Sequence, residues 1–597
     1  MRKPIFIFMS LIMILSMLLA ACGAATPTAA PQQEQAPAAE QEEAPAAEQE
    51  EAPAPAPTEA PAAEQPEEAQ APAEAKGVMV VSKEQQSSWV RNFNPLLPDG
   101  QQRWPTRAGI YESMMVYNVM TSEYVPWLAT EFQWNEDSTV LTLTTREGVQ
   151  WSDGQPFTAK DVAFTFNLMK EVAVFDNFAV WSYLEEVKAL DDQHVEFTFS
   201  KAYTPGFTDI VHQPIVPEHI WKDVENPAEF ANENPVATGP FTEVTVFENQ
   251  VYQIDRNPNY WQEGKPYFQA LRFPAYTDNS AANLALVNGE IDWAGNFIPD
   301  ADNTYVAKSE GNNYWFPAVG STVFLYVNTL KEPFDDPNVR KAISMALDRE
   351  QIVQVAMFDY THPSDASGLS DSMNAIKDQS VLATGDWVQK NIDKANELLD
   401  AAGLAKGPDG IRTLPDGTPL RYDLNVVTGW SDWVTTCEIM SRNLKEIGID
   451  APVKTSEFSA WFDMITHGNY DMSIGWSNNL PFAFNIYREL MSTETVKPIG
   501  ENSGVNWHRY GNEEATDLLA QLAASSDPDE QKQLTVELQK IFVENAPAIP
   551  LFPGPSWGEF NESRFTGWPN ADNPYAKLTP NDPPGMMLVL TNVKPVE

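Results

Sequence analysis

The segment from residue 23 to residue 76 limits how much of this chain can fold. It consists almost entirely of Ala, Pro, Glu, Gln and Thr, and the octad AAEQEEAP occurs twice in succession between Ala38 and Pro53. So little apolar surface cannot offset the entropy lost on ordering, so we predict a disordered tether. The fold must be built from the roughly 520 residues that follow. That length exceeds a single core and predicts two or three domains.

The residues before the tether have the features of an export signal. Arg2 and Lys3 precede an apolar run from residue 5 to residue 19, and small residues then lead to Cys22. Such a pattern is typical of a secretory signal, and the run is short for a bilayer span. The end of the run resembles the lipobox of bacterial lipoproteins, with an ordinary signal peptide and a chance cysteine as the alternative. We predict a signal peptide over 1–22, lipidation of Cys22, and an extracytoplasmic protein (periplasmic or at the outer face) that contacts the membrane through this anchor only.

The charge of the chain argues against nucleic acid as a partner. The formal net charge is −46, and the tether explains only part of it, with 12 Glu against one Lys. The folded part is therefore strongly acidic, whereas phosphate binding needs a basic face. Cys22 and Cys437 are the two cysteines. If the first is lipidated no disulfide can form, and packing alone must stabilise the folded part.

Capping signals and alternating patterns predict a mixed α/β protein. Thr158 opens the string TAKD, which has the spacing of a capping box. Asp336 and Asp527 each precede a proline, the combination expected where a helix begins. Residues 139–144 and 194–199 alternate apolar and polar side chains, as half-exposed strands do.

The sequence contains few of the common catalytic motifs. There is no HExxH, GxxxxGK or strand-linked GxGxxG pattern, and the string GPSWG (554–558) matches GxSxG by letter but no nucleophile elbow is predicted there. The six histidines are scattered, and the two prolines between His212 and His219 keep that pair off one helical face. We therefore expect no catalytic residues, no metal and no cofactor. A glycosidase would need two carboxylates brought together in space, which a sequence alone does not exclude.

Longer strings resemble the family 5 solute-binding proteins of ABC importers, the group that includes oligopeptide- and dipeptide-binding proteins. They occur in the order typical of that family across nearly the whole folded part. Each string alone is weak evidence for this family, but together the strings are specific for it. The matching strings are LTTREGVQWSDGQPFTAKDV (143–162), TGPF (238–241), RNPNYW (256–261), GEID (289–292), PFDDPNVRKAI (333–343) and LKEIGI (444–449).

The resemblance implies an α/β, two-lobed periplasmic-binding-protein-like fold (type II, cluster C) with an extra third domain. The lobes are hinged around a ligand cleft, and binding favours the closed state. We also expect a monomer that delivers a small oligomeric ligand to the transmembrane subunits of an ABC permease. Mapped onto this chain, the parts are a discontinuous first lobe (77–105, 237–322 and 546–597), an inserted small domain (106–236) and a second lobe (323–545).

The chain departs from the peptide-binding pattern of the resembled family. Peptide-binding members commonly carry an acidic residue shortly after a Gly-Trp pair, where it binds the α-ammonium of the ligand. Here Trp476 is followed by the neutral Asn478 and Asn479. A buried ammonium without a counter-charge is unfavourable, whereas amides suit neutral hydroxyls. This difference favours a neutral oligosaccharide, such as a β-linked disaccharide or longer.

Tryptophans with polar neighbours predict the cleft surface. The chain holds 18 Trp, and flat indole faces suit the C–H faces of sugar rings. A position in the core is the alternative for each of them. Together with Asn478 and Asn479, the predicted ligand-binding residues are Trp89, Asn92, Trp293, Trp430, Trp433 and Trp476.

Three other functions stay open from the sequence. The first is an oligopeptide- or dipeptide-binding protein of the same importer family. The second is a lipoprotein that hydrolyses glycans, which the absence of a paired-carboxylate motif disfavours. The third is a receptor that reports its ligand to a sensor kinase.

Overall fold

A computed structural model describes residues 77–98 apart from 84 and 86, residues 109–478 and residues 482–596. The predicted signal peptide, the tether and Cys22 lie outside the described residues, and so does Asn479. Within the described residues, no helix is both long enough and apolar enough to span a membrane.

The strands of the described residues are short and are distributed along the whole folded part. In chain order they are β1 (Val78–Ser82), β2 (Met115–Asn118), β3 (Glu123–Pro126), β4 (Ala129–Trp134), β5 (Val140–Thr145), β6 (Leu184–Ala189), β7 (His194–Phe199), β8 (Phe241–Glu248), β9 (Val251–Arg256), β10 (Ala270–Pro274), β11 (Trp293–Ala294), β12 (Asn312–Tyr314), β13 (Thr322–Val327), β14 (Leu424–Val427), β15 (Val453–Ser456), β16 (Met472–Trp476), β17 (Ile549–Pro553), β18 (Glu559–Asn561), β19 (Phe565–Thr566) and β20 (Lys594–Pro595).

The longest helices lie in the second half of the chain. The α-helices are Ala159–Glu171, Gly206–His212, Glu218–Trp221, Asn279–Val287, Ala301–Thr304, Pro337–Ala346, Arg349–Gln351, Gln379–Leu382, Ile392–Ala401, Ser431–Glu446, Phe458–Thr466, Ala483–Met491, Glu513–Ala524, Pro528–Asn545 and Met586–Leu590. Short 3-10 segments are Ala173–Phe175, Val180–Ser182, Pro227–Glu229, Val306–Lys308, Asp371–Ile376, Asp386–Val388 and Thr493–Thr495, and Ile352–Ala356 is a π-helical turn.

The caps predicted from the sequence are present. Thr158 and Asp161 form the reciprocal capping box, in which the Asp161 carboxylate accepts a hydrogen bond from the Thr158 N–H at 2.9 Å. The side chains of Asp336 and Asp527 accept from main-chain N–H groups at the starts of their helices. The strands predicted at 139–144 and 194–199 are β5 and β7, which alternate buried and half-buried residues. Local signals therefore define these elements.

Two mixed sheets form the two lobes of the molecule. The first lobe contains a seven-stranded sheet in the order β12-β18-β11-β1-β10-β9-β8, and the second lobe a five-stranded sheet in the order β15-β14-β16-β13-β17. A four-stranded antiparallel sheet, β4-β5-β7-β6, is inserted between β1 and β8. It falls within the predicted small domain.

In the described residues, the chain passes between the two large sheets at residues 315–321 and at residues 554–558, which we call the crossing segments. They pair antiparallel: the Gly320 N–H donates to the Gly554 carbonyl at 3.1 Å, and the Gly554 N–H donates to the Ser321 carbonyl at 2.8 Å. A Cβ atom on Gly320 would lie 2.6 Å from the Gly554 oxygen, and one on Gly554 would lie 2.7 Å from the Ser321 oxygen. Glycine is therefore required for this close approach.

The second crossing lies later in the chain than the sequence predicts. The predicted boundary assigns residues 546–597 to the first lobe, but β17 pairs with β13 in the sheet of the second lobe. The chain returns to the first lobe only at the crossing segment 554–558, before β18. Because β17 is buried along its whole length, the pattern of its residues does not distinguish one lobe from the other.

Candidate ligand-binding cavity

A cavity of about 230 Å³ lies beside the crossing segments and between the two lobes. The first lobe contributes the segment 295–297 and polar side chains near the C-terminus. The second lobe contributes three tryptophans, and both crossing segments form the floor, including Ser321 and Trp557. Ligand sites in proteins commonly occur at such domain boundaries, with volumes of about 300–1,000 Å³. The cavity therefore suits a short ligand.

Trp430, Trp433 and Trp476 form one wall of the cavity, which we call the indole wall. Trp476 ends β16, and Trp430 follows β14 after two residues. β14 and β16 run parallel, so their carboxyl ends meet at one edge of the sheet. The ring centroids of Trp430 and Trp433 lie 5.1 Å apart, and those of Trp433 and Trp476 lie 6.0 Å apart. The structure thus brings together three of the predicted ligand-binding residues.

Further aromatic rings support the indole wall from behind. Trp461 is fully buried, and its indole N–H donates to the Ser473 hydroxyl at 3.0 Å. Its ring centroid lies 5.3 Å from that of Trp476, and Trp507 approaches Trp476 edge-on at the same distance. Packed aromatic rings have few alternative arrangements, so the indole wall is fixed before a ligand arrives.

A second part of the lining, which we call the amide wall, carries Gln85, Asn279, Asn296 and Asn581. The Asn581 amide donates to the Gly295 carbonyl at 2.9 Å, but its oxygen has no hydrogen-bond partner. The Gln85 amide nitrogen is also buried without a partner. Buried polar groups are nearly always hydrogen-bonded. The amide wall therefore contains one unpaired donor and one unpaired acceptor.

The cavity also contains two charged groups. Asp432 lies in the first turn of the helix Ser431–Glu446, and burial raises the pKa of its carboxyl to about 7. Lys577 lines the cavity as well and forms an ion pair with Asp582 at 3.1 Å. Neither charged residue was predicted from the sequence. The one available signal was the string GWSDW, in which an acidic residue lies between two tryptophans at the start of a helix.

Trp89 and Trp293 lie in the packed interior of the first lobe and are not among the residues that line the cavity. The Trp89 indole N–H donates to the Phe273 carbonyl at 2.9 Å. The Trp293 indole N–H donates to the Leu578 carbonyl at 2.6 Å, and its side chain is 0% exposed. In this arrangement neither indole can contact a ligand in the cavity, because both rings are covered by protein.

The predicted asparagines have local roles in the structure. The Asn92 side-chain oxygen accepts from the Asn94 N–H at 3.0 Å, as in an Asx turn. Asn478 donates from its main-chain N–H to the carboxylate of the buried Glu489 at 2.9 Å, and its side-chain amide donates to the same carboxylate. Neither Asn92 nor Asn478 lines the cavity.

No cluster of three or more His, Cys, Asp or Glu side chains suited to a metal ion occurs among the described residues. The acidic group of the cavity, Asp432, has no second carboxylate among the lining residues. The cavity lining therefore combines aromatic rings, amides and hydroxyls with the two charged side chains Asp432 and Lys577.

Comparisons with known proteins identify the family and the fold of this chain. The family model of bacterial extracellular solute-binding proteins, family 5, matches residues 123–497. The two-lobed α/β fold is that of a periplasmic solute-binding protein, as the solved structures of similar chains show. The chain belongs to family 5 of the bacterial extracellular solute-binding proteins, which confirms the predicted family and fold. Membership in an extracellular family also agrees with the predicted location outside the cytoplasm.

Relatives within this family are named for different ligands. The oligopeptide-binding protein OppA of Bacillus subtilis is 24% identical over 456 residues, which cover 71% of this chain and 78% of that protein. The nickel-binding periplasmic protein of Escherichia coli is 27% identical over 409 residues, 65% of this chain and 74% of that protein. A periplasmic oligopeptide-binding protein of Thermotoga maritima, solved with bound mannohexaose, is 25% identical with a TM-score of 0.79, and the match covers 87% of this chain and 99% of that one.

Proposed function

We propose that the protein captures an oligosaccharide in the cavity between its lobes and delivers it to the permease of an ABC importer. The observation that carries the proposal is that the indole wall, Trp430, Trp433 and Trp476, and the amide wall line one cavity. Indole faces suit the apolar faces of sugar rings, and amides suit the hydroxyls at the ring edges. The two walls together match the two chemical faces of a sugar.

The floor of the cavity adds to the same chemistry. Trp557 presents a fourth indole, and Ser321, Ser556 and Thr579 add hydroxyls. The unpaired Gln85 nitrogen and Asn581 oxygen gain partners when a ligand hydroxyl occupies the cavity. The bound mannohexaose of the Thermotoga maritima protein supports a sugar ligand within this family.

The charge of the preferred ligand depends on the residues that line the cavity. A neutral ligand was predicted from Asn478 and Asn479, but the Asn478 amide donates to the Glu489 carboxylate, and Asn479 lies outside the described residues. Asp432 and Lys577 are the charged groups that line the cavity. They, rather than the asparagines, determine which ligand charge is favoured.

An oligopeptide is the second candidate ligand, because Asp432 offers a buried carboxylate to an α-ammonium group. Relatives such as OppA of Bacillus subtilis are named for oligopeptides. A carboxylate also accepts hydrogen bonds from sugar hydroxyls, so Asp432 is compatible with both ligands.

The location of the protein follows from its N-terminus. We propose that lipidation of Cys22 anchors it outside the cytoplasm and that the acidic tether lets the folded part reach the permease. A Cys22→Ala variant is then released as a soluble protein with unchanged ligand affinity. Cell fractionation and calorimetry test both statements, and lost affinity in the variant would show that the tether has a further role.

A thermal-shift panel tests the ligand class. It compares cello-, xylo-, manno- and chito-oligosaccharides with di- to pentapeptides on the wild-type protein. We expect stabilisation by at least one oligosaccharide, with calorimetry giving a 1:1 stoichiometry. Stabilisation by peptides alone would overturn the oligosaccharide proposal. Release of new reducing ends from the bound sugar would instead indicate a glycan-hydrolysing protein.

A further inference from the structure

We propose that a second cavity of the molecule binds an amphiphile, a ligand with an apolar body and a single anionic group such as a carboxylate. The cavity has a volume of about 610 Å³ and lies between the inserted small domain and the second lobe. Among the described residues, none lines both this cavity and the candidate ligand-binding cavity. Binding at this second site is therefore independent of the proposed function.

Aromatic rings from two parts of the fold line this cavity, which we call the aromatic cavity. The small domain contributes residues of β3, β4 and the helix Gly206–His212. The second lobe contributes the start of the helix Ala483–Met491 and residues of the helix Pro528–Asn545. The rings are those of Tyr124, Phe132, Trp134, Phe207, Phe482 and Phe484. An apolar lining and a volume of about 300–1,000 Å³ are typical of sites for small ligands.

Part of this aromatic surface is exposed to solvent. Phe132 is 48% exposed and Phe482 is 43% exposed, whereas Phe207 and Phe484 are buried. The ring centroids of Phe132 and Phe207 lie 4.5 Å apart, so an exposed ring and a buried ring form one surface. Single exposed apolar side chains are ordinary, but grouped ones mark interaction sites. An apolar ligand in the aromatic cavity would remove this surface from water, which is favourable.

The two sides of the aromatic cavity are in direct contact at Tyr203 and Thr204. The Thr204 main-chain N–H donates to the Ala523 carbonyl at 2.9 Å. The Tyr203 ring meets the Phe484 ring edge-on, with centroids 5.7 Å apart. These contacts join the small domain to the second lobe beside the cavity. A bound amphiphile would add further contacts between the same two parts and stabilise their arrangement.

The polar side chains of the lining, apart from one, are already hydrogen-bonded within the protein. The bonded pairs are Tyr124 with Thr208, Thr204 with Ala523, Gln531 with Ser525 and Thr535 with Gln531, at distances of 2.7 to 3.3 Å. The exception is Lys532, which forms no ion pair or side-chain hydrogen bond among the described residues. The polar side chain that is left for a ligand is therefore a cation.

Lys532 gives the aromatic cavity its preference for an anion. Acidic residues outnumber basic ones in the chain by 84 to 38, yet none of the described ones lines this cavity beside Lys532. Lys532 is exposed, whereas Phe207 and Phe484 are buried. A carboxylate beside Lys532 would remain partly in water while the apolar body of the ligand contacts the buried rings. The lining thus matches the two ends of an amphiphile.

Calorimetry on the full chain tests the site with straight-chain carboxylates below their micelle concentrations. Hexanoate, octanoate and decanoate should bind with increasing affinity, by up to roughly fourfold for each added methylene group. Decanoate should bind about threefold more tightly than decanol, which has the same chain and no charge. Equal affinities for the three carboxylates would overturn the inference, because the protein would then not bury the chain.

A lysine variant assigns the preference for a carboxylate. In Lys532→Gln, decanoate and decanol should bind equally well, and the dependence on chain length should remain. Lys540→Gln is the matched control, because this exposed lysine lies on the same helix and does not line the aromatic cavity. It should keep the preference of the wild-type protein. A carboxylate preference that persists in Lys532→Gln would overturn the inference of an anion site.

Three further variants locate the bound chain. Phe132→Ala removes an exposed ring and should weaken decanoate binding about fivefold, with little change in the midpoint of unfolding. Ala375→Trp adds an indole at an exposed lining position and should abolish decanoate binding by filling the aromatic cavity. Trp430→Ala alters the other cavity and should leave decanoate binding unchanged.

The remaining outcomes would overturn the inference. Decanoate binding that is lost in Trp430→Ala and kept in Ala375→Trp would place the ligand in the other cavity. A protein that binds none of the carboxylates has no amphiphile site. Without carboxylate binding, a concentration-dependent dimer that disappears in Phe132→Ala would assign the exposed rings to a second copy of the chain. None of these results depends on whether an oligosaccharide binds.

Discussion

The two walls of the cavity are built in opposite ways. The indole wall comes from a single lobe: Trp476 ends β16, and Trp430 follows the adjacent parallel strand β14. The amide wall is assembled from distant parts of the first lobe, with Gln85 near the start of the folded part and Asn581 near its end. The indole wall is supported by further buried rings, whereas the amide wall retains polar atoms without partners.

This difference separates two tasks of a binding site. A wall of packed rings keeps its shape without a ligand, so it supplies contact area with little ordering on binding. Unpaired amides and a buried carboxylate are unfavourable until a ligand satisfies them, so they discriminate among ligands. We therefore expect the indole wall to determine most of the affinity and the polar groups to determine the selectivity.

Removal of the support behind the indole wall should have the largest effect. Trp461 is fully buried, and loss of a buried Trp side chain typically costs about 3–5 kcal/mol. Trp461→Ala should therefore lower the free energy of unfolding by that amount in chemical denaturation. Trp461→Phe, which fills most of the space, should lose clearly less. An unchanged midpoint in the alanine variant would mean that the wall does not depend on its support.

The charge of Asp432 should make the unliganded protein less stable at high pH. Its carboxyl has a pKa raised to about 7 by burial, while the ordinary value is about 3.8. Because the unfolded chain loses this proton first, stability falls as pH rises between these values. We expect this residue to contribute roughly 2–3 kcal/mol to the loss between pH 5 and pH 8.

Asp432→Asn checks this assignment by reducing the pH dependence of unfolding. Glu438→Gln, on the exposed side of the same helix, should leave it unchanged. If both variants keep the wild-type pH profile, Asp432 is not the group responsible. The other buried carboxyls whose pKa values burial raises to about 7 or 8 are then the source: Glu112, Asp209, Glu489 and Glu559.

Truncation of an indole at the cavity surface should weaken binding more than folding. Trp430 is half-buried and lines the cavity, so Trp430→Ala should lower ligand affinity by about 2 kcal/mol, roughly thirtyfold. Trp430→Phe retains a stacking face and should lose less. Calorimetry with the best ligand of the panel measures both changes. Equal losses in the two variants would argue against stacking.

Removal of an unpaired amide should have the smallest effect and a distinctive signature. The buried Gln85 amide nitrogen has no partner, so Gln85→Leu should lower affinity by about 1 kcal/mol without lowering the free energy of unfolding. Asn296→Leu is the contrasting variant, because its amide is already bonded to Asn283 at 2.7 Å. That change should lower stability as well as affinity.

The sequence predicted the features that depend on short stretches of chain. The capping box at Thr158 and the family strings are local, and both were confirmed. Trp430 and Trp476 were predicted as ligand-binding residues because they lie in loops or strand ends with polar neighbours, and both line the cavity. Trp89 has the same kind of neighbours, yet its indole is bonded to a carbonyl 184 residues away. A local sequence pattern cannot reveal a hydrogen-bond partner so far along the chain.

The charged residues of the cavity were not predicted from the sequence, for a related reason. Asp432 lies in the first turn of a helix, where an acidic residue is expected to interact with the helix dipole at the surface. Whether it faces solvent or a cavity depends on residues such as Lys577 and Asn581 that come from the other lobe. The second crossing was predicted too early in the chain for the same reason, because the pairing of β17 depends on its partner β13.

The pairing of the crossing segments has a consequence for how a ligand leaves. Their hydrogen bonds join main chain to main chain, and Ser321 and Trp557 within them also form the floor of the cavity. When two rigid bodies rotate about an axis, atoms on the axis move least. A ligand seated on this floor would keep its lowest contacts while the indole and amide walls separate. Departure would then proceed from the top of the cavity downward, with the floor contacts broken last.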